Sequence, residues 1–244
     1  DNIKILKATC LLGGSWDPAQ WDAETAAMWE NIIATCEKYD HVMMLHTSPG
    51  GGSDVSNAIN LKYLNCMSNP LEKLTLTNCT ALKTVYAGYN QLTEIITAGL
   101  TSLENLNLNS NMLSKLYVQD LPALVTLFCS DNHATEMAIN NCPRLYDVWA
   151  PYNDLTAFSV NGCNNLGVVN LSWNDLQTLD LSGQNFLQRL NVSNNQLITL
   201  NVSFCPQLQF LNISDNDMLE NIMTEGDEML RQVVGEWDNY DLPY

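Results

Sequence analysis

Residues 103–113 read LENLNLNSNML, with apolar side chains at the first, fourth, sixth and eleventh places and Asn111 at the ninth. Stepping by 21 from Leu103 lands on Leu124, Leu145, Leu166, Leu187 and Leu208, and stepping back lands on Leu82 and Leu61. The ninth place is unbroken as well: Asn69, Asn90, Asn111, Asn132, Asn153, Asn174, Asn195 and Asn216. The fourth place reads Leu64, Val85, Leu106, Leu127, Val148, Val169, Leu190 and Leu211. The sixth reads Cys66, Ala87, Leu108, Cys129, Ala150, Leu171, Val192 and Ile213. A fixed period of this length marks a repeat architecture, and it takes precedence over any reading of single segments.

The second half of each unit carries a weaker copy of the phrase, as in LITLNVSFCPQ at 197–207. Its ninth place holds Cys79, Leu100, Leu121, Cys142, Cys163, Gln184 and Cys205. Each turn is therefore expected to hold two short extended segments joined by tight bends. Apolar residues at alternate sites point inward and stack on the same site of the next turn. A single turn cannot bury its own face, so stability becomes roughly a sum over neighbouring turns. Asn suits the buried bend because its side chain both donates and accepts. At ~4.8 Å per strand, eight turns span roughly 40 Å.

The phrase LxxLxLxxNxL resembles the leucine-rich repeat, and the 21-residue length with cysteines in register resembles the cysteine-ladder internalins. LNVSNNQL and CPQLQFLNIS are similar to phrases in leucine-rich surface proteins of gut Bacteroidetes. The resemblance covers residues 61–216. It departs from the internalins in that only Cys66 and Cys129 occupy the sixth place, so a continuous cysteine ladder is absent. It implies a bacterial binding scaffold, displayed at the cell surface or secreted, with any lipid anchor on a segment outside this chain.

The flanks depart from the register. NIKILKATCLL, opening at Asn2, reads as a strand. Asp17, Pro18 and Gln20 supply an N-cap, a first-turn proline and a capping-box partner. Trp21, Thr25, Met28, Trp29, Ile32, Ile33, Cys36 and Tyr39 follow at helical spacing, which predicts a helix over 18–39. Residues 40–60 read as a decayed repeat, with Met43, Leu45 and Val55 on apolar columns and Ser48 at the Asn site, interrupted by an SPGGGSD loop. After Asn216 the register slips by one, with Met218 and Leu219 competing for one column. A short helix around 225–236 and an acidic tail are expected beyond it. The expected class is thus an α/β solenoid dominated by short parallel strands, divided as an N-terminal strand–helix cap (1–60), the repeats (61–216) and an acidic C-terminal cap (217–244).

Of the 244 residues 46% are hydrophobic and 15% charged, too apolar for a disordered tail. The net charge of −17 repels phosphate backbones and argues against nucleic acid. No apolar run approaches the ~20 residues of a membrane-spanning helix. The chain begins at Asp1 with neither Met nor an apolar signal region, as a mature or trimmed form would. His41, His46 and His133 stand in no catalytic motif, and the Gly-rich loop lacks the Lys and Ser/Thr of a phosphate loop. Asp215, Asp217 and Glu220 fail the spacing of a calcium loop, and the cysteines form no CxxC pair. No catalytic residue, metal site or cofactor is expected. Six cysteines read as buried thiols, while Cys10 and Cys36 are either a disulfide or two buried thiols.

The variable places on the first-half strand carry the functional signal. The fifth reads Asn65, Tyr86, Asn107, Phe128, Trp149, Asn170, Asn191 and Asn212; the eighth reads Ser68, Tyr89, Ser110, Asp131, Tyr152, Trp173, Asn194 and Asp215. Aromatics displace polar residues in the central turns. Tyr86, Tyr89, Phe128, Trp149, Tyr152 and Trp173 are the candidate ligand-binding residues, on the expected concave face and taking a protein or a glycan. The alternatives are that these rings pack on each other or on a cap loop, and that the chain is a spacer in a surface assembly.

Overall fold

A computed structural model describes residues 5–9, 42–46, 51–226 and 232–233. The described chain is a right-through stack of coils with one strand on the front of each and a second on the back. The front strands form one parallel eleven-stranded sheet. It opens with Ile5–Thr9 and Val42–His46, continues through Tyr63–Asn65 and its repeats to Phe210–Asn212, and ends with Gln232–Val233. Registers keep the 21-residue step, as in Leu64 beside Val85 and Val148 beside Val169. The back strands form three separate three-stranded sheets, interrupted between Glu94–Ile96 and Lys115–Gln119 and again between Ala157–Asn161 and Thr178–Asp180.

The leucine columns fill the space between the two walls. Leu61, Leu82, Leu103 and Leu124 are fully buried, as are Leu64, Val85 and Leu127 on the front strands and Leu74 and Leu200 on the back. At the first interruption of the back wall, Thr97 stands where the other coils place Leu76, Val118 or Ile139. A cavity of about 260 Å³ opens there, lined in part by Thr97, Leu108, Leu113 and Val118.

The asparagine column closes each bend. The Asn132 Nδ2 group donates to the carbonyls of Leu108 (3.0 Å), Cys129 (3.2 Å) and Ser130 (3.2 Å), and its Oδ1 accepts the Leu113 N–H at 3.1 Å. One side chain thus satisfies backbone groups of its own coil and of the coil before it, most of them buried. In the second half the thiols act at the matching place. Cys79 Sγ donates to the Val55 carbonyl (3.0 Å) and Cys205 Sγ to that of Leu181 (3.2 Å), each 24 residues back, the same separation as Asn132 to Leu108. The six cysteines of the repeats are buried and form no disulfide.

Three expectations change. Among the described residues there is no helix, so the architecture there is an all-parallel β-solenoid and not α/β. The helix over 18–39, with Cys10 and Cys36, lies outside the described residues. The short helix around 225–236 gives way at Gln232–Val233 to a strand that pairs with Phe210 and Leu211 at a step of 22. The one-residue slip explains it: Thr199 pairs with Asn221, also at 22, because Leu219 takes the apolar column and Met218 stays 62% exposed. The front sheet thus has a strand at Gln232–Val233, inside the span where a helix was expected. Finally, Gly51–Asp54 of the expected loop is a strand, paired with Leu71–Thr75 and bulged between Gly51 and Gly52.

Candidate functional site

The site is built at the rim where each coil leaves the front sheet. At the eighth place the backbone is left-handed in every repeat, with φ of 55° at Tyr89, 55° at Tyr152, 57° at Trp173 and 54° at Asn194. Hydrogen bonding between coils imposes this. The Tyr152 N–H donates to the Ser172 carbonyl (3.2 Å) and the Asn153 N–H to that of Trp173 (3.3 Å), so pairing continues through the bend only if the chain turns there. A left-handed residue costs about 1–2 kcal/mol unless it is Gly or, to a lesser extent, Asn or Asp. The equivalent second-half column obeys that preference with Asn57, Asn78, Gly99, Asp120, Asn141, Gly162 and Gly183, and departs only at Phe204. On the front rim three aromatics occupy such places. Tyr89, Tyr152 and Trp173 are 61%, 58% and 51% exposed, so each buries less than half of its surface in return.

Between this rim and the front strands runs a groove of about 390 Å³. Tyr89, Trp149, Tyr152 and Trp173 line it, with the small residues Ser130, Pro151, Ser172 and Ser193 between rim and strands. Tyr152 and Trp173, one coil apart, stack with centroids 5.6 Å apart and planes at 18°. Of the six expected residues these four come together. Phe128 is half-buried on Thr126–Phe128 and does not line the groove, and Tyr86 meets Tyr63 edge-on at 5.5 Å. The eighth-place residues also lie off the strands, on the bend, because the strands end at the fifth place.

The residues of the floor were not among those expected. Asn170, Asn191 and Asn212 line the groove and are only 5%, 4% and 7% exposed. The Oδ1 of each accepts the N–H two residues on: Ser172 at 3.0 Å, Ser193 at 3.1 Å and Ser214 at 3.1 Å. Their Nδ2 groups have no protein acceptor among the described residues. The signal in sequence was the Asn-x-Ser spacing itself, which commits the oxygen to the turn and leaves the amide hydrogens over. No lining residue is charged.

Asp147 sits on the same strand as Trp149 and shares its face, between Thr126 and Val168. Burial pushes its carboxyl up to about 6, and its side chain has no hydrogen-bond or ion-pair partner among the described residues. Burial also pushes the thiols of Cys66 and Cys129 up to about 12 and that of Cys79 to about 11. Thiols held protonated in this way are poor nucleophiles and poor metal ligands. Among the described residues no three His, Cys, Asp or Glu side chains gather as a metal site. No helix there is long and apolar enough to cross a membrane.

A parallel solenoid of 21-residue coils, leucine-filled and closed by an asparagine column, is a leucine-rich-repeat fold. A solved structure shares this fold. The chain is similar to YopM from Yersinia enterocolitica WA-314 (TM-score 0.59, 22% identity), over 79% of this chain and 40% of that one. It spans well under half the length of that protein. Weaker likenesses are to the functional domain of InlJ from Listeria monocytogenes, which includes a cysteine ladder (TM-score 0.35, 22% identity, 66% of this chain and 50% of that), and to the Leptospira interrogans protein LIC12759 (0.30, 14%, 75% and 77%). No family model matches the chain, and no curated protein matches it either.

Proposed function

We propose that the protein is a non-enzymatic recognition module whose front groove holds a ligand against Trp149, Tyr152 and Trp173. The observation that carries this reading is the exposure of aromatic rings at left-handed backbone positions. The left-handed backbone disfavours such side chains, and strain of this kind concentrates at functional sites. Large rigid rings beside small polar groups supply contact area at little cost in side-chain entropy. Phe128, Tyr86 and Tyr89 extend the aromatic surface toward the N-terminal coils. The resemblance of the repeats to bacterial surface proteins supports a place outside the cytoplasm.

The test is a binding screen against glycans and host extracellular proteins, run with wild type beside a Trp149→Ala, Trp173→Ala double variant. A ligand held by wild type and lost by the folded variant supports the reading. A ligand indifferent to both substitutions removes the groove from consideration.

A further inference from the structure

We propose that the groove takes an uncharged oligosaccharide, laid across the strands so that successive rings rest on Asn170, Asn191 and Asn212. The proposal rests on the front groove being the binding surface and names what that surface binds.

The floor offers hydrogen-bond donors. Because Oδ1 of each Asn is committed to its own turn, what remains toward the groove is a file of Nδ2–H groups. Each belongs to a side chain more than nine-tenths buried and therefore fixed in place. Asn170, Asn191 and Asn212 are in direct register across neighbouring strands, so the donors recur at the strand spacing of ~4.8 Å. The complementary ligand presents acceptor oxygens at that repeat.

Charge narrows the choice. A file of N–H groups could also hold phosphate or carboxylate, but no Lys or Arg lines the groove, and the chain carries a net −17. An anion would approach against that field with no cation among the lining residues. A neutral ligand meets no such barrier.

Spacing separates the two neutral candidates. Same-side carbonyls of an extended peptide recur every second residue, at ~6.8 Å, and miss the next donor by about 2 Å. A chain of pyranose rings advances by close to one strand spacing per ring, and its hydroxyl and ether oxygens are acceptors throughout. The same rings have apolar C–H faces, and the ring on Asn170 would lie beside Trp173, which stacks on Tyr152. Along the fifth-place row the large side chain of Trp149 precedes the three amides, so the floor drops from a ring to a run of short side chains at Asn170. A sugar chain lying on the amides abuts that step.

The experiment titrates the protein with neutral oligomers of glucose, mannose, galactose and N-acetylglucosamine, one to six rings long, read by tryptophan fluorescence and calorimetry. Affinity is expected to rise to about three rings, one for each donor, and then level off. Asn191→Asp keeps the oxygen that accepts the Ser193 N–H but replaces the donor by an acceptor, and should lower affinity at least about tenfold. The length profile of wild type stands on its own if that variant does not fold. Three results overturn the proposal: affinity independent of length, preference for inorganic phosphate or acidic oligomers, or no response to any oligomer. A polar peptide or protein that binds and is lost on Trp149→Ala, Trp173→Ala would overturn the sugar assignment while leaving the groove as the binding surface. Loss of every ligand's dependence on those tryptophans would overturn both.

Discussion

Replacing Tyr89 by Asn should leave the fold as stable or more stable, and replacing Trp173 by Asn should cost stability. Both residues hold φ near 55° with at least half of the side chain in solvent, and Asn194 holds the same conformation in the same column. Relieving a bulky left-handed residue is worth about 1–2 kcal/mol. Against this stands the lost ring contact. Tyr89 is 61% exposed, so its covered part contributes about 1 kcal/mol of the 1.5–3 that full burial gives. The balance is a gain of up to about 1 kcal/mol, or an increase in Tm of about 2–4 °C for a chain of this size. Trp173 differs in one respect, its stack on Tyr152 at 5.6 Å, which adds about 0.5–1.5 kcal/mol to the loss. Thermal and urea unfolding of the two variants beside wild type decide the matter. If Tyr89→Asn falls as far as Trp173→Asn, the ring at 89 is a packing residue, and the argument from strain to recognition fails.

Asn132→Ala orphans the Leu113 N–H and removes the donor to three carbonyls, which should cost about 3 kcal/mol and lower Tm by roughly 6–12 °C; a loss under 1 kcal/mol would show that water replaces the side chain. Asp147 has a folded-state carboxyl raised to about 6, above its unfolded value of about 3.9, so its contribution is full below pH 4 and is lost as pH rises through 6. Asp147→Asn should therefore raise Tm relative to wild type at pH 7 and make no difference at pH 3.5, and a difference of constant size across that range would refute the assignment. Thiols at Cys66 and Cys129, pushed to about 12, should resist maleimide at pH 8 in the folded protein and react on adding guanidinium, as mass spectrometry would record.

The coil repeat was legible because each column meets one environment eight times over. Leu61 to Leu208 and Asn69 to Asn216 are read by counting, and a buried site that must satisfy the same backbone groups in every coil tolerates one residue type. What followed from a single occurrence was less secure. A short helix was expected around 225–236, but the inserted residue near Met218 only lengthens one coil, and Gln232–Val233 rejoin the sheet. At the rim the aromatics were found and their backbone was not. Tyr152 and Trp173 hide a conformation that Ser68, Asp131, Asn194 and Asp215 in the same column announce. The amide floor was visible as a column of Asn, but its meaning depends on which atom the turn consumes, and that is a matter of geometry.

Placing recognition at the fifth and eighth places follows from how the coils are held together. The Leu and Asn columns carry the contacts between neighbouring coils, so a change there propagates along the stack. The eighth place contributes its backbone to that pairing and its side chain to solvent. The Tyr152 N–H bonds to Ser172 just as the Asn194 N–H bonds to Ser214 (2.9 Å), whatever side chain stands there. Its side chain can therefore change at a local cost of about 1–2 kcal/mol without altering register. The fifth place is similarly divided, with Asn170 spending one atom on its turn and keeping the other for the groove. A scaffold of this kind holds its exposed atoms at a set spacing, and under the proposed function selectivity would come from matching the repeat of the ligand to the repeat of the coil.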